Sequence, residues 1–193
     1  VSNLTNEIRI WNSASQTAED QALKLKSWRL AEAASLETQR QWADAESHLN
    51  LVLKTTPNDR LALFRRGNVR AEQRSFDSAM QDFRRLLELS ADQPLDETTL
   101  TGYWCQCLLL LEAGNEAGYR QTCLEMAQRF GEVHDAHLAG WCAVSFVLLN
   151  DRDHVAPCVK LVEAFAPMNL NQAFYRGLLQ FIAGDDTKSI ESF

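Results

Sequence analysis

The chain has 193 residues, carries a formal net charge of -7, and is 46% apolar with 23% charged residues. That composition supports one sizeable buried core or a repeat array, and only four prolines and eight glycines interrupt it, which argues against disorder. The acidic balance argues against a surface that neutralises phosphates, so no nucleic-acid partner is expected.

From the N-terminus, Glu7-Ile8-Arg9-Ile10-Trp11-Asn12 alternates polar and apolar residues as a strand does. Residues 1–15 are therefore set apart as a strand-like or linker segment, and 16–193 form one helical domain. The start, with Asn3, Glu7 and Arg9, lacks the basic and apolar pattern of a secretion signal. The longest uncharged apolar stretch, Leu138 to Leu149, is too short for the ~20 residues that cross a bilayer and reads as a buried helix. No membrane partner is expected. Five cysteines are an odd number in a chain that needs no staples, which points to a reducing compartment, the cytoplasm by default.

Within the helical part a small residue recurs as Ala33, Gly67, Cys107, Ala143 and Gly177, at spacings of 34, 40, 36 and 34. Sixteen residues beyond each lies Leu49, Phe83, Cys123, Val159 or Phe193, and nineteen beyond lies Val52, Leu86, Met126 or Val162. Two helices approach closely where one offers a small side chain and its neighbour fills the gap with apolar residues at i and i+3. The expected turns inside the units are Gln39-Arg40, Arg74-Ser75, Gly114-Asn115, Asn150-Asp151 and Gly184-Asp185. Extra residues around Ser90 to Glu97 account for the 40-residue spacing as a longer loop.

The 34-residue period, with Trp42, Ala45 and Pro57 in the first unit and Leu63, Gly67, Phe76, Ala79 and Phe83 in the second, resembles the tetratricopeptide repeat. The third unit departs by placing Tyr119 where that family has alanine, and the fourth and fifth place Val155 and Ser189 there. The resemblance implies an all-α right-handed superhelical solenoid of about five helix-turn-helix units, some ten helices, with the last unit truncated. The opening "I-R-I-W" string resembles the closing strand of a WD-repeat blade. Together with Trp28 to Ala33, Gln41 to Ala45 and Gly114 to Arg120, it resembles the helical regions of planctomycete-type multidomain WD-repeat or serine/threonine kinase proteins. That likeness implies an interaction region of a larger bacterial signalling protein.

In a tetratricopeptide array the first helices of successive units line a concave face, which places binding residues three before and one after each small residue. This selects a peptide-binding groove of Leu30, Phe64, Asn68, Trp104, Leu108 and Phe174, with Arg65 beside them. Aromatic walls bury a peptide's side chains and an amide meets its backbone. Arg65, Arg66 and Asn68 form a partial anion site or, more simply, a solvated helix face. The Lys and Asn carboxylate clamp of some family members is not reproduced, since Leu30 and Ala34 stand there.

Chemistry has no support in the sequence. His134 and His137 meet on one helical face without a third ligand in register, and Cys105 and Cys107 diverge by about 200° on a helix, so no metal site is expected. No catalytic motif is present, no cofactor is implied, and the thiols read as small buried side chains. The expected function is protein-protein interaction or scaffolding, with a peptide or a neighbouring domain of the same chain as partner. The alternative is a spacer that buttresses an adjacent propeller or kinase domain.

Overall fold

The computed structural model describes residues 18–93 and 96–130, with residues 159, 177–178, 180–185 and 187–188. Six helices follow in order, α1 (Ala18–Thr38), α2 (Trp42–Thr55), α3 (Arg60–Glu72), α4 (Phe76–Leu89), α5 (Glu97–Glu112) and α6 (Glu116–Phe130). They pair as α1/α2, α3/α4 and α5/α6, and each pair packs on the next, so the chain is an all-helical repeat solenoid. The strand-like reading of residues 1–15 and the turn at Asn150-Asp151 lie outside the described residues.

The turns among the described residues are built in the same way. Arg40, Arg74, Gly114 and Gly184 have φ of 57°, 60°, 65° and 84°, each seven residues after the small residue of its unit. In each case the positive-φ N–H donates to the carbonyl three residues back and the next N–H to the carbonyl five residues back, as in Gln41 to Leu36 and Asn115 to Leu110. This closes the orphan carbonyls of the first helix and reverses the chain within two residues. Arginine adopts the left-handed conformation at a cost at Arg40 and Arg74, which the two hydrogen bonds offset.

The small residue works by size. A Cβ on Gly67 would stand 2.7 Å from Phe83 Cε1, so only glycine fits opposite that ring. In the first unit Ala33 meets the smaller Leu49, and both are fully buried. The third unit trades differently. Cys107 and Cys123 bring their sulfurs to 3.8 Å, and Tyr119, only 2% exposed, lies beside both thiols. The tyrosine that departs from the repeat pattern is thus the partner of a shrunken phenylalanine position.

A polar cluster lies between α2, α3 and α4. Asp82, with a side chain 4% exposed, takes a forked pair of hydrogen bonds from Arg66, at 2.9 and 2.6 Å, and a third from Arg70 at 2.9 Å. Arg70 also donates to Glu46, and Arg66 to Asn50. Two guanidiniums on one buried carboxylate tie both second helices to α3 and allow one orientation of the fork.

The N-termini of α3 and α5 are each joined to the preceding first helix by a repeated device. Asp59 caps α3 by accepting from Ala62 N at 2.9 Å and receives Lys26 Nζ from α1 at 2.6 Å. Asp96 caps α5 by accepting from Thr99 N and receives Arg60 from α3 through both carboxylate oxygens, at 2.8 and 2.9 Å. Arg60 also donates to Thr99 Oγ1 and to the buried Ser90 hydroxyl, so one guanidinium anchors the end of α4 and the start of α5. The longer connection foreseen around Ser90 to Glu97 is held at both ends.

Two substitutions test this core. Asp82→Ala leaves two arginines around a vanished charge, and a loss of about 3–5 kcal/mol is expected in urea unfolding, as for a broken buried ion pair. Tyr119→Ala should cost about 3 kcal/mol by cavity formation. Imposing the residues of unit two as Cys107→Gly/Tyr119→Ala/Cys123→Phe should recover most of that loss. A triple variant no more stable than the single one would rule out the size trade.

Candidate interaction face

α1, α3 and α5 lie side by side. Arg65 Nη1 of α3 donates to the Leu30 carbonyl of α1 at 2.6 Å, and Cys105 Sγ of α5 contacts Asn68 Oδ1 of α3 at 3.5 Å. Their outward faces form one surface. At 100° per residue, positions six before, one after and five after each small residue fall within about 40° of one another. These positions make three equivalent stripes, Ser27, Ala34 and Thr38 on α1, Leu61, Asn68 and Glu72 on α3, and Thr101, Leu108 and Glu112 on α5. Leu61 and Leu108 are 46% and 43% exposed, and all nine residues reach the surface.

The groove residues expected from the sequence divide into two groups. Leu108 is exposed, and Trp104 and Asn68 are half-buried on this face. Leu30 and Phe64 are half-buried against the core of the first two units. Phe64 also packs against the Ala79, Phe83 and Leu109 cluster, its ring centroid 6.3 Å from that of Phe83. Phe64 thus spans the junction of two cores. Phe174 lies outside the described residues.

Arg65 and Arg66, read from the sequence as a partial anion site or a solvated helix face, are both paired. Arg65 Nε donates to Glu37 Oε1 at 3.0 Å, and Nη2 lies 2.9 Å from the same oxygen off the hydrogen-bond line. Arg66 is committed to Asp82 and Asn50. Neither guanidinium has a fork left for an external carboxylate, because neighbouring helices supply acidic partners that a linear reading cannot place. Sequence reasoning also passed over Leu61, Glu72 and Glu112. The signal was available, since Leu61 shares its offset from the small residue with Ser27, and Glu72 and Glu112 share theirs with Thr38.

The titratable groups have structural roles. Burial pushes the Cys105 thiol up to about 11, which holds it protonated beside Asn68. Burial, with the Cys123 and Cys107 thiols alongside, pushes the Tyr119 hydroxyl up as well. Desolvation works to raise Asp96, but hydrogen bonds from the Thr99 hydroxyl and backbone and from Arg60 outweigh it and hold the carboxyl below its ordinary value. Among the described residues, no group of three His, Cys, Asp or Glu side chains is placed to hold a metal, and no helix is long and apolar enough to cross a membrane. His134, His137 and Cys142 lie outside them.

No protein-family model matches the chain, and no curated protein matches it in sequence. Solved structures do match in fold. MamA protein superposes with a TM-score of 0.59 at 12% identity, over 88% of each chain. YrrB, described as a TPR protein with an unusual peptide-binding site, superposes with a TM-score of 0.53 at 13% identity, over 85% of this chain and 80% of its own. At such identities the likeness establishes a TPR-like helical-repeat fold and nothing finer.

Because Asp96 binds its proton more weakly folded than unfolded, its contribution to stability is present above the unfolded carboxylate range and lost as pH falls through the folded value. Wild type and Asp96→Asn should therefore differ in Tm at pH 7 and converge as the pH falls below the ordinary aspartate value. Thermal unfolding followed by circular dichroism across that range checks this, and a constant difference would remove Asp96 from the acid limb.

Proposed function

We propose that this TPR-like chain is a protein-interaction module that holds a peptide segment, or a strip of a neighbouring domain, on the face formed by α1, α3 and α5. The observation that carries this reading is the placement of Leu61 and Leu108 on the same outward face of two adjacent helices, each close to half exposed, with Asn68 of α3 at the position equivalent to Leu108. Leucines of a repeat protein normally close the contact between units, and these two do not. Asn68 offers an amide with a donor and an acceptor for a peptide backbone, and Trp104 adds a partly open ring. Arg65 belongs to the frame of the site, because its ion pair with Glu37 and its bond to the Leu30 carbonyl hold α1 against α3.

The fold likeness to YrrB, whose description includes a peptide-binding site, supports the same class of partner. On the sequence resemblance, the module serves within a larger bacterial signalling protein, and its partner is a segment of that protein or of a protein it recruits.

A displayed random-peptide library selected on the wild-type chain provides ligands for the test. Phe64 is unsuitable for substitution, since its truncation opens both cores. Leu61→Arg/Leu108→Arg changes only exposed positions and should preserve the circular dichroism spectrum. Selected peptides should bind the double variant at least about 30-fold more weakly, the scale of a lost hot spot. Equal affinity for both forms would move the binding surface elsewhere.

A further inference from the structure

We propose that the segment held on this face is cationic as well as apolar, with aliphatic side chains against Leu61 and Leu108 and lysine or arginine side chains reaching Glu72 and Glu112. The proposal rests on the peptide-binding reading above and adds the charge of the ligand to it.

Glu72 and Glu112 are structural equivalents. Each is the last residue of its helix, α3 or α5, and lies five residues beyond the small residue of its unit. Both are exposed. Neither is engaged by a cation or a hydrogen-bond donor among the described residues, whereas Glu37, Glu46 and Asp82 on the same helix pairs are each paired with arginine. Their position is unfavourable for folding, because the C-terminal end of a helix carries roughly half a negative charge and favours Lys, Arg or His. α5 has no basic residue in its last turn, and Arg70 in the last turn of α3 is taken by Asp82 and Glu46. The two carboxylates therefore add to the negative helix ends instead of offsetting them. Local placement that works against the helix is expected at binding sites.

The surrounding charges sharpen the assignment. On the stripes and their flanks, Arg65 is neutralised by Glu37. Arg40 and Arg74 occupy the turns after α1 and α3, but Gly114 takes that place after α5, so the turn that follows Glu112 carries no basic residue. Leu108 lies four residues before Glu112, one helical turn away on the same face, which sets an apolar contact directly beside a carboxylate. A cationic side chain beside an apolar one matches that pair. An acidic segment would meet two carboxylates and two helix C-termini of its own sign.

Two labelled peptides test the charge. Both carry leucine at helical i, i+3, i+4 and i+7 positions, one with lysine and the other with glutamate at the remaining polar positions. Binding is followed by fluorescence anisotropy to wild type, to Glu72→Gln/Glu112→Gln, and to Glu88→Gln/Glu125→Gln, which makes the same change in net charge on the exposed surfaces of α4 and α6. The lysine peptide should bind wild type about tenfold more tightly than the glutamate peptide, as expected for two exposed ion pairs. That preference should disappear in Glu72→Gln/Glu112→Gln and survive in Glu88→Gln/Glu125→Gln. Loss of preference in both variants alike, or in neither, overturns the proposal. If both peptides bind equally and Leu61→Arg/Leu108→Arg weakens both, the charge assignment fails while the peptide-binding reading stands. If neither peptide binds, and selected library peptides do not depend on Leu61 and Leu108, both fail together.

Discussion

The architecture depends on how closely the two helices of a unit can approach. Gly67 and Phe83 define that distance, because the phenyl ring occupies the place where any β-carbon on residue 67 would stand. Ala33 and Leu49, a smaller pair, are buried together at the corresponding place in the first unit. In the third unit the bulk moves one turn along α6, from the position of Cys123 to that of Tyr119. Close-packed interiors respond to volume and shape more than to residue identity. That is why the helices superpose on MamA and YrrB at 12–13% identity.

Close approach within a unit leaves open how successive units stack, and polar contacts settle that. Lys26 to Asp59 and Arg60 to Asp96 use the same logic twice, with the aspartate that caps one first helix also serving as counter-ion for the preceding one. A cap and an ion pair on one carboxylate couple the start of a helix to its neighbour's position. On the other side of α3, Asp82 gathers Arg66 and Arg70 and reaches Glu46 through the second of them. Buried ionic groups of this kind contribute more to a single orientation than to net stability. Here the orientation they impose turns Leu61, Asn68 and Glu72 outward together.

The interaction face follows from what the frame consumes. Arginines suited to anions are spent on Glu37 and Asp82, and the ring of Phe64 is spent on joining two cores. The remaining side chains on the three stripes are small, apolar, neutral polar or acidic. The chemistry of the face is therefore the complement of the packing, and its acidic ends stand where the helices themselves provide no compensation.

Much of the fold was legible in the sequence. The recurrence of Ala33, Gly67 and Cys107 located the three described helix pairs, and the turn positions Arg40, Arg74, Gly114 and Gly184 all carry the left-handed residue at the expected place. These features are local, since helix periodicity, small residues and chain reversals are written within a few residues. The offset rule also brought Asn68, Trp104 and Leu108 to the outward face. It could not separate Phe64 from them, because exposure of a ring depends on whether a neighbouring unit closes over it. Nor could it show that Arg65 and Arg66 would find Glu37 and Asp82, residues 28 and 16 positions away in the chain. The sequence by itself determined which residues form helices and which side of each helix faces its partner, because both follow from a fixed turn of 100° per residue. Only the tertiary structure decided which charges are neutralised and which side chains remain free, because those depend on distances between helices that no spacing along the chain records.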